Sequence, residues 1–251
     1  MLPVVLHHGI FGFDRLRLGP VVVEQFPGVV RGLESAGYPV LRARVHPTAS
    51  IAHRARQLKL CILRQLRQRG LRPPVVVVAH SLGGLDARYM VRHLGMSSVV
   101  RAVVTLSTPH HGASLAEFWK LHLGERLKVY DLVRALGVDI GAAYELTRPA
   151  MAQFNVDTPD CPEVGYFSVV CAVPWQGVRP RLLLSHRLVA REEGDNDGIV
   201  SARSAAWGEV LERWEVDHLA ALRRDALVRW GRGRRVTPED YVRLVRRVTA
   251  A

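Results

Sequence analysis

The sequence predicts an α/β protein with a mostly parallel central sheet and helices on both faces of that sheet. Strand-like segments alternate with segments of helical periodicity through the first half of the 251 residues, and their connections are short. Val75-Val76-Val77-Val78 is a continuous apolar run, as in a strand buried on both faces. Ser81 follows this run where a helical pattern begins, and it therefore stands at a sharp strand-to-helix bend.

Apolar spacing and turn residues predict the elements of the amino-terminal half. In order they are a strand at 2–8, a helix at 21–36, a strand at 38–45, a helix at 50–69, the strand at 75–78 with its helix, and a strand at 99–106. The helix at 50–69 carries Leu58, Ile62 and Leu66 on one face and arginines elsewhere, and Gly70 ends it.

The pattern changes after Gly112. Residues 113–160 are helical and rich in aromatic and aliphatic side chains, which predicts a helical cap or lid inserted into a single domain of residues 1–251. Strands follow at 164–173 and 182–189, and a strand-like segment spans 205–216. The final helix has Thr237 as its N-cap and Pro238 as its first residue.

Composition excludes several classes of protein. No apolar run reaches the roughly 20 residues of a membrane span, and residues 1–8 lack the features of a signal peptide, so we expect a cytoplasmic protein or one secreted without a recognisable signal. The net charge is +12, and residues 54–72 contain no acidic residue. We interpret that stretch as a solvated helix face rather than a nucleic-acid surface because interleaved aromatics are missing.

Three cysteines, Cys61, Cys161 and Cys171, show no metal-binding spacing. Reduced thiols are the expectation. A bridge between Cys161 and Cys171 stays open at this point.

Ser81 has the surroundings of a catalytic nucleophile. The tight bend requires small residues two positions before and after it, and Ala79 and Gly83 are small. Downstream, His218 follows the last strand-like segment, where a general base is expected. The acid is expected on the preceding loop, where Asp197 fits; Asp195 and Asp217 remain alternatives.

An oxyanion hole requires two backbone N–H groups. Leu82, directly after the serine, and Ile10, in the glycine-rich loop after the first strand, are the expected donors. Phe11 and Phe13 of that loop, together with residues 113–160, are expected to line an apolar acyl pocket.

Several segments resemble the bacterial triacylglycerol lipases of the Pseudomonas, Burkholderia and Proteus type, which belong to the α/β-hydrolase superfamily. The matching segments lie at 4–14, 79–89, 105–114, 151–155, 196–201 and 214–219, in the family's order. The resemblance implies Ser81 as nucleophile, Asp197 rather than Asp195 as acid and His218 as base. It also implies a calcium ligand two residues after the histidine, but Ala220 stands there. We therefore expect no metal and no cofactor.

The expected function is a serine carboxylic-ester hydrolase, above all a lipase that cleaves medium- or long-chain acyl esters and touches a lipid interface transiently. Alternatives on the same triad are a short-chain esterase, a phospholipase or an acyltransferase. A non-catalytic basic module that binds membrane or nucleic acid is the remote alternative; we expect no nucleic-acid partner.

Overall fold

A six-stranded parallel sheet organises the chain. The computed structural model describes residues 1–10, 15–18, 21–119, 145–222 and 235–250. Its strands are β1 Val4–His7, β4 Val40–Arg42, β5 Val75–His80, β6 Val100–Leu106, β7 Gly165–Cys171 and β8 Glu209–Trp214. They lie side by side in the order β4-β1-β5-β6-β7-β8, and every neighbouring pair is parallel.

Helices cover both faces of this sheet, as predicted. Val76 and Val78 point into a core shared with Tyr241, whereas Val75 and Val77 point to the opposite core with Leu58. Successive strand residues face opposite ways, so four consecutive valines serve both cores. The helices are α1 Val29–Ser35, α2 Ile51–Gln68, α3 Leu82–His93, α4 Ser114–Trp119, α5 Arg148–Asp157, α6 Leu183–Glu193, α7 Ala202–Ala205 and α8 Pro238–Ala250.

Two predicted elements were wrong in type or extent. Residues 21–36 do not form one helix: Val21–Glu24 is β3, paired antiparallel with β2 at Arg15–Leu18, and the helix begins only at Val29, after Pro27 and the left-handed Gly28. The β-branched valines favour the strand. The predicted strand at 182–189 is α6, because the buried residues Leu182, His186 and Val189 recur at helical rather than alternate spacing.

The described ends of the predicted cap lie together. Residues 120–144, the middle of that insertion, lie outside the described residues. The Ala113 N–H donates to the Leu146 carbonyl at 2.9 Å, and Arg148 donates to Glu117 through both its backbone N–H and its Nε at 2.9 Å. The described residues before and after 120–144 are therefore hydrogen-bonded to each other.

The three cysteines, Cys61, Cys161 and Cys171, are free thiols. None of the helices within the described ranges is long and apolar enough to cross a bilayer.

Candidate active site

Ser81 occupies the bend between β5 and α3 in a strained conformation, with φ 54° and ψ −132°. Non-glycine residues rarely adopt positive φ, and such strain gathers at functional sites. Two hydrogen bonds hold the bend: the Ser81 N–H donates to the Leu106 carbonyl at 2.8 Å, and the Thr108 hydroxyl donates to the Ser81 carbonyl at 2.7 Å. The predicted nucleophile elbow is thus fixed to the end of β6.

Close backbone approaches explain the small residues around the bend. A Cβ on Gly83 would lie 2.8 Å from the His8 carbonyl oxygen, and a Cβ on Gly9 would lie 2.7 Å from the Cβ of Ser81. Only glycine permits either approach. The loop after β1 therefore lies directly against the predicted nucleophile.

Asp197 and His218 are joined. Asp197 Oδ2 lies 2.8 Å from His218 Nδ1, and the His218 N–H donates to the Asp197 carbonyl at 2.8 Å. The other carboxylate oxygen accepts the N–H groups of Ile199 and Val200 at 2.9 and 2.8 Å. A fully buried carboxylate with three donors is oriented by its surroundings, and its contact with Nδ1 leaves Nε2 as the other ring nitrogen for proton transfer.

The two alternative acids are engaged elsewhere. Asp195 is exposed and pairs with Arg213 at 2.6 Å. Asp217 is buried, and its carboxylate accepts from Arg179 at 2.6 Å and from the N–H groups of Leu219 and Ala220 at 3.0 and 2.9 Å. Neither of these carboxylates contacts the His218 ring, whereas that of Asp197 does.

The elbow and the histidine loop touch through His80, a residue that sequence reasoning missed. Its ring centroid lies 4.6 Å from that of His218, and its Nε2 donates to the His218 carbonyl at 2.9 Å. The hydrogen bonds of the described residues include none between the Ser81 hydroxyl and His218. In hydrolases without substrate this contact is commonly longer than in the reacting complex.

Leu82 and Ile10 take places suited to an oxyanion hole. Leu82 is the first residue of α3, so its N–H has no acceptor within the helix. Ile10 follows Gly9, and its side chain packs against a small apolar cluster formed by Ile51, Leu82, Leu85 and Met151. Phe11 and Phe13, the predicted pocket residues, lie outside the described residues.

A buried ionic cluster supports the loop that carries Ile10. Asp86 Oδ2 lies 2.8 Å from His7 Nε2 and accepts from Arg54 Nε at 2.9 Å, and all three side chains are inaccessible to solvent. The Arg54 guanidinium also donates to the His8 carbonyl at 2.8 Å and to the His46 carbonyl at 2.5 Å. Burial lowers the pKa of His7, against the raising effect of the hydrogen bond with Asp86.

Arg54 corrects the sequence analysis, which placed the arginines of this helix on its surface. Its position four residues before Leu58 puts it on the buried face, and that spacing was a usable signal.

Arg88, seven residues after the serine, ties the base of the insertion to the elbow helix. Its guanidinium lies 3.6 Å from the centroid of the Trp207 ring, and it donates to the Asn155 side chain at 2.9 Å and to the Thr158 carbonyl at 3.1 Å. Burial lowers the pKa of Arg88 to about 10. Asn155 in turn donates to the His110 carbonyl at 2.8 Å, so α3, α5 and the loop after β6 are joined.

The residues around His218 do not fit a calcium site. Ala220 offers no side-chain ligand, and Asp217 is held by Arg179 and by the backbone of its own loop. Within the described part of the chain, no group of three or more His, Cys, Asp or Glu side chains is arranged to hold a metal ion.

Comparisons with known proteins find similar lipases. The sequence model of one protein family, the PGAP1-like alpha/beta domain, matches residues 49–135. Triacylglycerol lipase 2 of Saccharomyces cerevisiae is 29% identical over 86% of this chain and 78% of its own length. A triacylglycerol lipase of Pseudomonas fragi is 27% identical over 99% of this chain and 96% of its own.

Solved structures share the fold. Staphylococcus hyicus lipase superposes with a TM-score of 0.74 at 17% identity, covering 99% of this chain and 94% of its own. Bacillus licheniformis lipase BlEst2 in mature form gives a TM-score of 0.71 at 22% identity, covering 90% and 88%. The parallel sheet and these solved structures show that the chain has the α/β-hydrolase fold, and its sequence is similar to those of triacylglycerol lipases.

Proposed function

We propose that the chain is a serine carboxylic-ester hydrolase that cleaves acylglycerols or other medium- and long-chain acyl esters through an acyl-enzyme. The observation that carries this proposal is the buried Asp197–His218 contact beside a strained Ser81 at the elbow. Nucleophilic serine catalysis needs a base and an orienting carboxylate, and both groups stand in the chain order that hydrolases of this fold use.

In the proposed reaction His218 Nε2 accepts the hydroxyl proton as Ser81 Oγ attacks the ester carbonyl. The tetrahedral oxyanion accepts hydrogen bonds from the N–H groups of Ile10 and Leu82. The bond to the leaving alcohol then breaks, and the alcohol takes its proton from His218. Water, activated by the same histidine, releases the acid and restores Ser81. Asp197 keeps the imidazole in the productive tautomer throughout.

The apolar cluster beside the elbow supports an acyl substrate. Ile51, Leu82, Leu85 and Met151 are buried together there, with Phe154 partly buried against them. An alkyl chain gains free energy roughly in proportion to the apolar area that it removes from water. We propose residues 113–160, with Phe11 and Phe13, as the remaining wall and as a cap over it. If the cap opens on lipid, turnover rises sharply once the substrate exceeds its solubility; a hyperbolic curve through that point would argue against it.

The test is hydrolysis of p-nitrophenyl esters from acetyl to palmitoyl, with Ser81→Ala measured beside the wild type. We expect a maximum at medium or long chains that disappears in the variant, and covalent labelling of Ser81 by a phosphonate. A maximum at acetyl or butyryl would keep the triad but make the protein a short-chain esterase. No turnover and no labelling of folded protein would contradict the proposal.

A further inference from the structure

The outer face of α2 combines exposed leucines with exposed arginines. Leu60 is 66% exposed and Leu63 is 39% exposed, although both lie in the middle of a long helix. The exposed arginines flanking them on the same face are Arg56, Arg64 and Arg67. The opposite face, with Ile51, Leu58, Ile62 and Leu66, is buried against the sheet.

The positive charge of this face is not neutralised within the described part of the protein. Helix α2 contains no acidic residue, and no described carboxylate forms an ion pair with Arg56, Arg64 or Arg67. Helix α8 differs, because two of its three exposed arginines form ion pairs with carboxylates: Arg243 with Glu212 and Arg247 with Glu209, both at 2.8 Å. An arginine-rich surface therefore does not by itself explain the unpaired cations of α2.

We propose that this outer face of α2 docks on anionic lipid. The benefit of such docking rests on the proposed lipase function. Arginine side chains extend along an apolar patch and keep their charges at the headgroups, while the leucines enter the acyl boundary. Near an anionic leaflet each basic residue strengthens binding roughly fivefold, so three arginines give about 100-fold. A polyanion without an apolar phase would leave Leu60 and Leu63 in water.

The helix leads from this face to the candidate active site. Its first residue, Ile51, is buried in the same apolar cluster as Leu82 and Leu85 beside the elbow. Glu145, at the returning end of the insertion, accepts the Ile51 N–H at 2.8 Å. Docking along α2 therefore brings the lipid surface next to the rim of the site.

The test is co-sedimentation of the full chain with vesicles of phosphatidylcholine containing about one third phosphatidylglycerol, and with pure phosphatidylcholine. Two variants alter the face: Arg56→Gln/Arg64→Gln/Arg67→Gln and Leu60→Ser/Leu63→Ser. The matched control, Arg181→Gln/Arg187→Gln/Arg191→Gln, removes the same charge from exposed positions in and just before α6, whose last turn carries Glu192 and Glu193.

We expect binding to the anionic vesicles only, with about 100-fold weaker binding in the α2 arginine variant, about tenfold weaker binding in the leucine variant and less than threefold change in the control. Equal losses in the control would overturn the proposal, because net charge alone would then explain binding. Unchanged vesicle binding by the leucine variant would also overturn it and would identify a surface for soluble polyanions such as nucleic acid.

Hydrolysis of a dissolved short-chain ester separates this proposal from the proposed function. All three variants keep wild-type rates on that substrate, because none of their residues belongs to the site. A wild type that binds vesicles but hydrolyses no ester would refute the enzyme while leaving the docking face intact.

Discussion

Replacing Arg54 with methionine should lower stability and slow turnover together. The guanidinium is wholly buried and bonds Asp86 and the carbonyls of His8 and His46. Removing it leaves His7 as the remaining hydrogen-bond partner of the Asp86 carboxylate among the described residues. Breaking a buried pair on one side typically costs about 3–5 kcal/mol, and that is the loss of unfolding free energy that we expect.

The effect on rate follows from the position of the His8 carbonyl, two residues before the proposed oxyanion donor of Ile10. Losing one donor outright costs about 100- to 1,000-fold in kcat. A donor whose loop has lost one anchor is displaced rather than absent, so we expect a fall of about 10- to 100-fold with KM little changed. Chemical unfolding and kinetics on a dissolved short-chain ester measure the two effects.

A second change separates them. Arg54→Met with Asp86→Asn removes the uncompensated charge and keeps a hydrogen-bonding partner for His7. We expect this double variant to recover about half of the lost stability but to remain slow. Arg56→Met, an exposed change on the same helix, should alter neither quantity. A double variant with wild-type kcat would show that the cluster only stabilises the fold and would refute our reasoning.

Three further outcomes follow from the structure. Gly84→Ala should cost about 1–3 kcal/mol by urea unfolding, since its new Cβ would meet the Thr108 side chain, and an unchanged midpoint would contradict the packing described. Arg179→Met should lower the free energy of unfolding by about 3–5 kcal/mol, because it leaves the buried Asp217 without its ion pair. Adding Asp217→Asn should restore part of this stability. No loss in the single variant would show that the fold does not need the pair. Burial, together with Arg88 and His111, holds the pKa of His110 well below its ordinary 6.5. As the pH drops below about 6.5 the unfolded chain therefore takes up this proton before the folded protein does, and stability falls. His110→Gln should reduce this pH dependence in thermal melts from pH 7.5 to 5, and an equal dependence of the melting temperature on pH in variant and wild type would disprove it.

Local sequence patterns predicted the parallel sheet and identified the candidates for the triad, because buried strands and tight bends directly restrict which residue types can occur. The apolar run at 75–78 and the small residues around Ser81 are of this kind. The antiparallel pair of Arg15–Leu18 and Val21–Glu24 was not predicted, because a run of three valines is too short to decide between strand and helix until its partner strand is known. The buried pair of Arg54 and Asp86 was not predicted, because a charged residue is usually exposed and the two residues lie on elements far apart in sequence.

The hydrogen bond between Ala113 and Leu146 joins the two sides of the proposed insertion and makes it a structurally separate unit. The described residues on its two sides are hydrogen-bonded to each other after the central strand β6. On the proposal that residues 113–160 form an insertion, a change in its length therefore leaves in place the strand before Ser81 and the loop that carries Asp197. The entropic cost of closing a longer loop rises only slowly with its length. On the proposal that this segment lines the acyl pocket, selection for a new acyl group acts here, while the sheet and the proposed reacting groups stay as they are.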